Sequence, residues 1–177
     1  GMVAISTMTA ILQIRNFVII LPSYYFNTFT SFATSLNAQH NYKAYYDKFG
    51  KSIVIIMGGG LLMIVVFQIF SKQILGLYGA AYADDSFPFF IANLAIPFLL
   101  VGNLLKIDLI IHEHQRLMLI VSIISSVVFM GCMLLLIHLG IESVVAYFGG
   151  QLAQVLIIYL MFKIQYNKNK HVLYEKI

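Results

Sequence analysis

Residues 117–139 read LMLIVSIISSVVFMGCMLLLIHL, with no Asp, Glu, Lys or Arg among them. A helix needs about 20 apolar residues to cross the hydrocarbon core of a bilayer. Core helices of soluble proteins seldom run that long without a charge. Three further runs share this character. Residues 52–70 (SIVIIMGGGLLMIVVFQIF) are uncharged, residues 88–111 carry Lys106 and Asp108 only near their end, and residues 144–162 form the fourth run. A fifth, more polar segment covers residues 9–36, with a kink expected at Pro22 because proline cannot donate a helical hydrogen bond.

Composition points the same way. Of 177 residues, 60% are apolar and 10% charged, and mean hydropathy is +0.88. A soluble domain carries roughly a quarter of its residues charged, and with so few a water-exposed surface would hold large apolar patches. The apolar runs are continuous, without the two-residue alternation of outer-membrane strands, which excludes a β-barrel. The fold class expected is therefore all-α: a polytopic membrane bundle over residues 1–163, with spans at about 9–36, 52–70, 88–111, 117–139 and 144–162. A basic tail is expected over 164–177.

The net charge of +4 does not indicate nucleic acid, because the basic residues gather at helix ends and in the tail instead of forming one stripe. Their distribution gives orientation instead. Lys43, Lys48 and Lys51 follow the first span; Lys106 and Arg116 flank the third turn; Lys163, Lys168, Lys170 and Lys176 follow the last span. The second turn sets Lys72 against Asp84 and Asp85, and the fourth holds only Glu142. Basic excess on alternate connections predicts an outside N-terminus and a cytoplasmic C-terminus. An odd number of spans starting outside, with no basic n-region or cleavage site of a signal peptide, leads to the expectation of a piece of a longer protein. Cys132, the lone cysteine, sits in an apolar run and forms no intramolecular disulfide.

At about 100° per residue, Thr9, Gln13, Asn16, Ser23, Asn27, Thr30, Ser31 and Thr34 share about a third of the circumference of the first helix. Ile14, Phe17, Val18, Leu21 and Phe32 lie opposite. Such a stripe is either glue between helices or the wall of a water-filled cavity. Arg15 lies about 110° from its centre. An arginine in a span snorkels, pairs or reaches water, so it reads either as an interfacial residue or as an anion contact. Lys106 and Asp108, two residues apart, do not face each other; they are interfacial anchors, or they take part in coupling or substrate contact.

The His112-Glu113-His114 triplet reads as a turn, since histidines two apart diverge on a helix and no other ligand pair supports a metal. Gly58-Gly59-Gly60, with no strand before it and no lysine after it, is a close helix contact and no phosphate loop. Gln151 and Gln154 are expected to hydrogen-bond between helices. No nucleophile–base arrangement is present, so no enzyme activity, metal or cofactor is expected.

Three stretches resemble a known family. These are the Pro-broken polar helix LPSYYFNTFTSFATSLNAQHN, the loop and helix ILGLYGAAYADDSFPFFIANLAIPFLL, and the Gly-led last helix HLGIESVVAYFGGQLAQVLIIYL. Together they resemble the C-terminal part of the polysaccharide-transporter flippases, the O-antigen and capsule exporters of the multidrug/oligosaccharidyl-lipid/polysaccharide exporter superfamily. The resemblance implies that the five spans correspond to helices eight to twelve of a twelve-helix exporter, with the N-terminal half and one further helix elsewhere. It implies a multi-pass protein of the bacterial inner membrane that moves polyprenyl-pyrophosphate-linked oligosaccharide between leaflets by alternating access, for surface polysaccharide and lipopolysaccharide biosynthesis. Asn16, Ser23, Asn27, Thr30, Ser31 and Thr34 would then line the cavity and Arg15 would meet the pyrophosphate. Two alternatives stand beside it: a cation-coupled multidrug exporter of the same superfamily, with Asp108 as its acidic residue, and a membrane scaffold that transports nothing.

Overall fold

A computed structural model describes residues 2–79, 82–83 and 85–174. Asp84, Lys176 and the side chain of Leu21 lie outside the described residues. Among those described the chain is all helical: α1 (Met2–Ala38), α2 (Tyr42–Ile69), α3 (Ser71–Gly76), α4 (Ser86–Leu94), α5 (Ile96–Ile111), α6 (Gln115–His138) and α7 (Ser143–Tyr174). Five segments are long and apolar enough to cross a membrane, the third being α4 and α5 taken together. The protein is an all-α, multi-pass membrane bundle.

Three helices are longer than the sequence reading gives, and α1 already starts at Met2 instead of near residue 9. The stretch after the first span, expected as a connection, is helical from Tyr42, with Asn41 as its cap: the Asn41 side chain accepts the Ala44 N–H at 3.2 Å. The expected tail continues α7 without a break to Tyr174. Its lysines do not stop the helix because every fourth position or so turns inward, and Tyr166 and Asn169 are buried there. Pro22 lies inside α1 and does not end it. The interruption falls in the third span, where α4 stops and α5 restarts with Pro97 in its first turn, the position at which proline's missing N–H costs least.

Burial identifies the centre. In the most apolar window of the α4–α5 span 61% of residues are buried, against 11% for α6. α5 is packed by α7, α2 and α1, whereas α6 leans along α7 and barely touches α5. Close approach at these contacts depends on glycine. A Cβ on Gly60 would stand 2.7 Å from the Pro97 Cα, while Gly58 and Gly59 have open space, so one glycine of the triplet makes the helix contact. On α7, a Cβ on Gly150 would meet the Phe129 carbonyl of α6 at 3.0 Å, the small-residue packing usual between membrane helices.

The three turns that return α1, α5 and α6 share one construction. Each ends with a 6→1 hydrogen bond (Asn41 N–H to Leu36 O, His114 N–H to Leu109 O, Ile141 N–H to Leu136 O, 2.8–3.0 Å) and one left-handed residue: His40 (φ 54°), Glu113 (φ 60°) and Gly140 (φ 79°). This is the Schellman ending. Below the first two turns lies an aromatic core in which Phe49 meets Phe29 at 5.0 Å, Tyr45 at 5.2 Å and Tyr166 at 5.4 Å between ring centroids. It joins α1, α2 and α7 at the end of the bundle where the α1–α2 and α5–α6 turns and the end of α7 meet, called here the basic end.

Candidate functional site

The polar stripe of α1 points away from the other helices. Ile11, Arg15, Val18, Phe29 and Ala33 form the buried side of α1, whereas Thr9, Gln13, Asn16, Asn27, Ser31 and Thr34 are exposed and Ser23 and Thr30 half-buried. Phe17 and Phe32, placed opposite the stripe by the sequence reading, are exposed as well; the packed side of α1 is narrower than the apolar arc.

The stripe contains two kinds of group. The hydroxyls of Thr9, Ser23, Thr30 and Thr34 donate back to the carbonyls of Ile5, Ile20, Phe26 and Thr30 at 2.9, 2.6, 2.7 and 2.9 Å. Such hydroxyls are satisfied by their own helix and tolerate lipid. Gln13, Asn16, Asn27 and Ser31 make no side-chain hydrogen bond among the described residues. A carboxamide offers two donors and an acceptor that no neighbouring carbonyl of its own helix can fully satisfy, and each unmet group in hydrocarbon costs several kcal/mol. Gln13, Asn16 and Asn27 therefore demand water, a polar ligand or another polar surface against this face.

Arg15 is buried on the packed side of α1 and does not snorkel. Its Nη1 donates to Gln151 Oε1 of α7, and Gln151 in turn donates to the Tyr147 hydroxyl at 3.0 Å. Gln151 bridges helices, as expected of it. The Arg15 Nε is buried without a partner, and no carboxylate pairs with this cation among the described residues. Arg15 and the stripe thus belong to different faces, and no single site holds both.

Asp108 is not an interfacial anchor. It is wholly buried, with the Tyr45 hydroxyl donating to one carboxyl oxygen at 2.8 Å and the Asn169 amide to the other at 3.0 Å. Asn169 Oδ1 accepts from Gln165 at 2.9 Å and lies 3.1 Å from His114 Nε2. His112, one turn after Asp108, sets Nδ1 2.9 Å from the Asp108 carbonyl and 3.3 Å from its carboxyl. Burial alone would lower the His112 pKa, but the hydrogen bonds and charge of Asp108 outweigh it and hold it above the ordinary value. The network ties α2, α5, the α5–α6 turn and α7 together at the basic end. The sequence reading missed it, since Tyr45 and Asn169 lie 63 and 61 residues from Asp108. The one visible signal was the four-residue spacing of Asp108 and His112, which puts them on one helix face. The His112-Glu113-His114 turn is thus part of this network. Lys106 leaves the opposite side of α5, exposed, toward α6.

At the far end, Asp85 is tied to α1, accepting from the Thr7 hydroxyl at 2.7 Å, and is not a freely solvated loop residue. No family model, no curated protein and no solved structure matches this chain.

Proposed function

We propose that the chain is part of a membrane transporter whose path runs along the outward face of α1, and that it moves a polyprenyl-pyrophosphate-linked oligosaccharide across the bacterial inner membrane by alternating access. The observation that carries this reading is the row of carboxamides, Gln13, Asn16 and Asn27, on the side of α1 that no other described helix covers. A glycan presents many hydroxyls, each able to give and take hydrogen bonds, and a row of carboxamides and hydroxyls suits such a ligand while the lipid tail stays in the bilayer. The second lobe that alternating access requires would face this row, as the missing half of the same transporter. The lysines of the basic end then lie in the cytoplasm with the C-terminus of α7.

The cation-coupled exporter is the weaker reading. Its acidic residue would have to be Asp108, and both oxygens of that carboxyl are engaged within the bundle. Cysteines at Asn16 and Asn27, in native membranes, are expected to react with a membrane-impermeant thiol reagent while a cysteine at Phe17 stays inert. Equal inertness of all three would make the stripe a packing seam and remove the basis of the transport reading. In proteoliposomes of the intact transporter, drug efflux without movement of any polyprenyl-linked sugar would assign it to the multidrug branch.

A further inference from the structure

Where α6 leans on α7 without closing against α5, a cleft of about 420 Å³ opens between α5 and α6, with α7 as its floor. That volume lies in the range of small-molecule sites. Its walls are largely apolar: Phe98, Leu99, Met118, Val155, Ile158 and Phe162. Into it project Asn103 and Lys106 from α5, Ser122 from α6 and Gln154 from α7. None of these four side chains makes a hydrogen bond or ion pair among the described residues; the neighbouring Ser125, by contrast, is satisfied through the Ser122 carbonyl at 3.0 Å. The lining carries one cation and no acid. Asp108, the nearest carboxyl in sequence, turns to the other side of α5 and is fully engaged there.

Unmet polar groups in an apolar cleft are costly at membrane depth, and the exposed ammonium of Lys106 at its mouth draws negative charge; their chemistry specifies what relieves the cost. The only formal charge is positive, and Asn103, Ser122 and Gln154 can each turn a donor toward an anion that Lys106 attracts. The fitting ligand is therefore an acceptor-rich anion with an apolar body. Lys106 lies five residues before the end of α5, roughly 8 Å inside it at 1.5 Å per residue, near the depth of lipid headgroups. Gln154 is deeper, because Ile158 packs at Gly102 and Tyr159 stacks edge-on with Phe98 at 5.4 Å.

We propose that this cleft binds an anionic phospholipid, one whose headgroup carries no cation to offset the phosphate. Lys106 meets the phosphate as a point charge, and Asn103 and Ser122 donate to its oxygens. Gln154 reaches an ester oxygen further down, and an acyl chain lies along Phe98, Leu99, Val155 and Ile158. The site is on α5, α6 and α7, away from the α1 stripe, and does not rest on the transport reading.

The test uses the purified chain after delipidating detergent exchange, with thermal unfolding and native mass spectrometry as readouts. Phosphatidylglycerol is expected to raise Tm and to be retained at one molecule per chain, while phosphatidylcholine is not retained. The substitution Lys106→Gln should weaken retention about tenfold or more, the loss of one charge-assisted contact, while Lys106→Arg keeps it and Lys72→Gln changes nothing. Gln154→Leu, which leaves the cation in place, should weaken retention by less than Lys106→Gln. Retention of phosphatidylglycerol by Lys106→Gln at the wild-type level would overturn the proposal. So would equal retention of the two lipids, or the same Tm rise from inorganic phosphate alone, which would assign the cleft to a soluble anion.

Discussion

At Asp108 both carboxyl oxygens receive a hydrogen bond, from Tyr45 and from Asn169, and nothing of the residue is exposed. On α1, Asn16 and Asn27 hold carboxamides out from the bundle with no partner among the described residues. Both regions are polar residues in a membrane helix, and composition alone would class them together. The difference is whether the fold itself completes their hydrogen bonds. Where it does, the polar group locks helices together; where it does not, the group is available to something outside the bundle. Position in the span does not sort the two cases; partners do.

That comparison can be broken most forcefully at Asp108. Replacing it by leucine strands Tyr45 and Asn169 and is expected to cost about 3 kcal/mol or more of stability, the scale of breaking a buried polar network. Thermal unfolding in detergent measures it, and a change under 1 kcal/mol would place Asp108 with the unsatisfied groups.

His112 sharpens the same side. Its pKa is raised in the folded protein, so the Asp108 contact stabilises fully below the unfolded value, about 6.5, and is lost as pH rises through the folded one. The stability gap between wild type and His112→Gln should therefore be widest near pH 5.5 and narrow above neutrality. A gap independent of pH would mean that the imidazole contributes only as a neutral hydrogen bonder.

The smallest stability effect is expected on α1. The double change Asn16→Leu, Asn27→Leu removes groups without partners and should move stability by no more than about 0.5 kcal/mol; on the proposed transport reading it should also abolish export. A large loss of stability would show that these carboxamides are bonded within the bundle after all.

The spans were legible because apolar runs of bilayer length have one solution in a lipid solvent, and the stripe was legible because helical period alone sorts its residues. Which way the stripe faces was not, since that depends on how α1 docks through Ile11, Val18 and Phe29. The start of α2 and the end of α7 were hidden for a different reason. Tyr42 to Lys51 and Lys163 to Tyr174 mix lysines with tyrosines, and a helix that buries Tyr45, Tyr46 and Tyr166 while holding lysines outward resembles a polar connection on composition. Two of the three Schellman turns use His40 and Glu113 at the left-handed position, so only Gly140 announced itself. The partners of Asp108 and Arg15 come from helices far along the chain, and no local pattern predicts them.

Arg15 and Gln151 are 136 residues apart. At roughly 5–20 residues per second of synthesis, the ribosome delivers the glutamine on the order of ten seconds after the arginine. Through that interval the guanidinium lacks the partner it has in the folded chain, and water, lipid phosphate or the insertion machinery can hold it. The packing of α1 within this bundle is therefore complete only once α7 has been made.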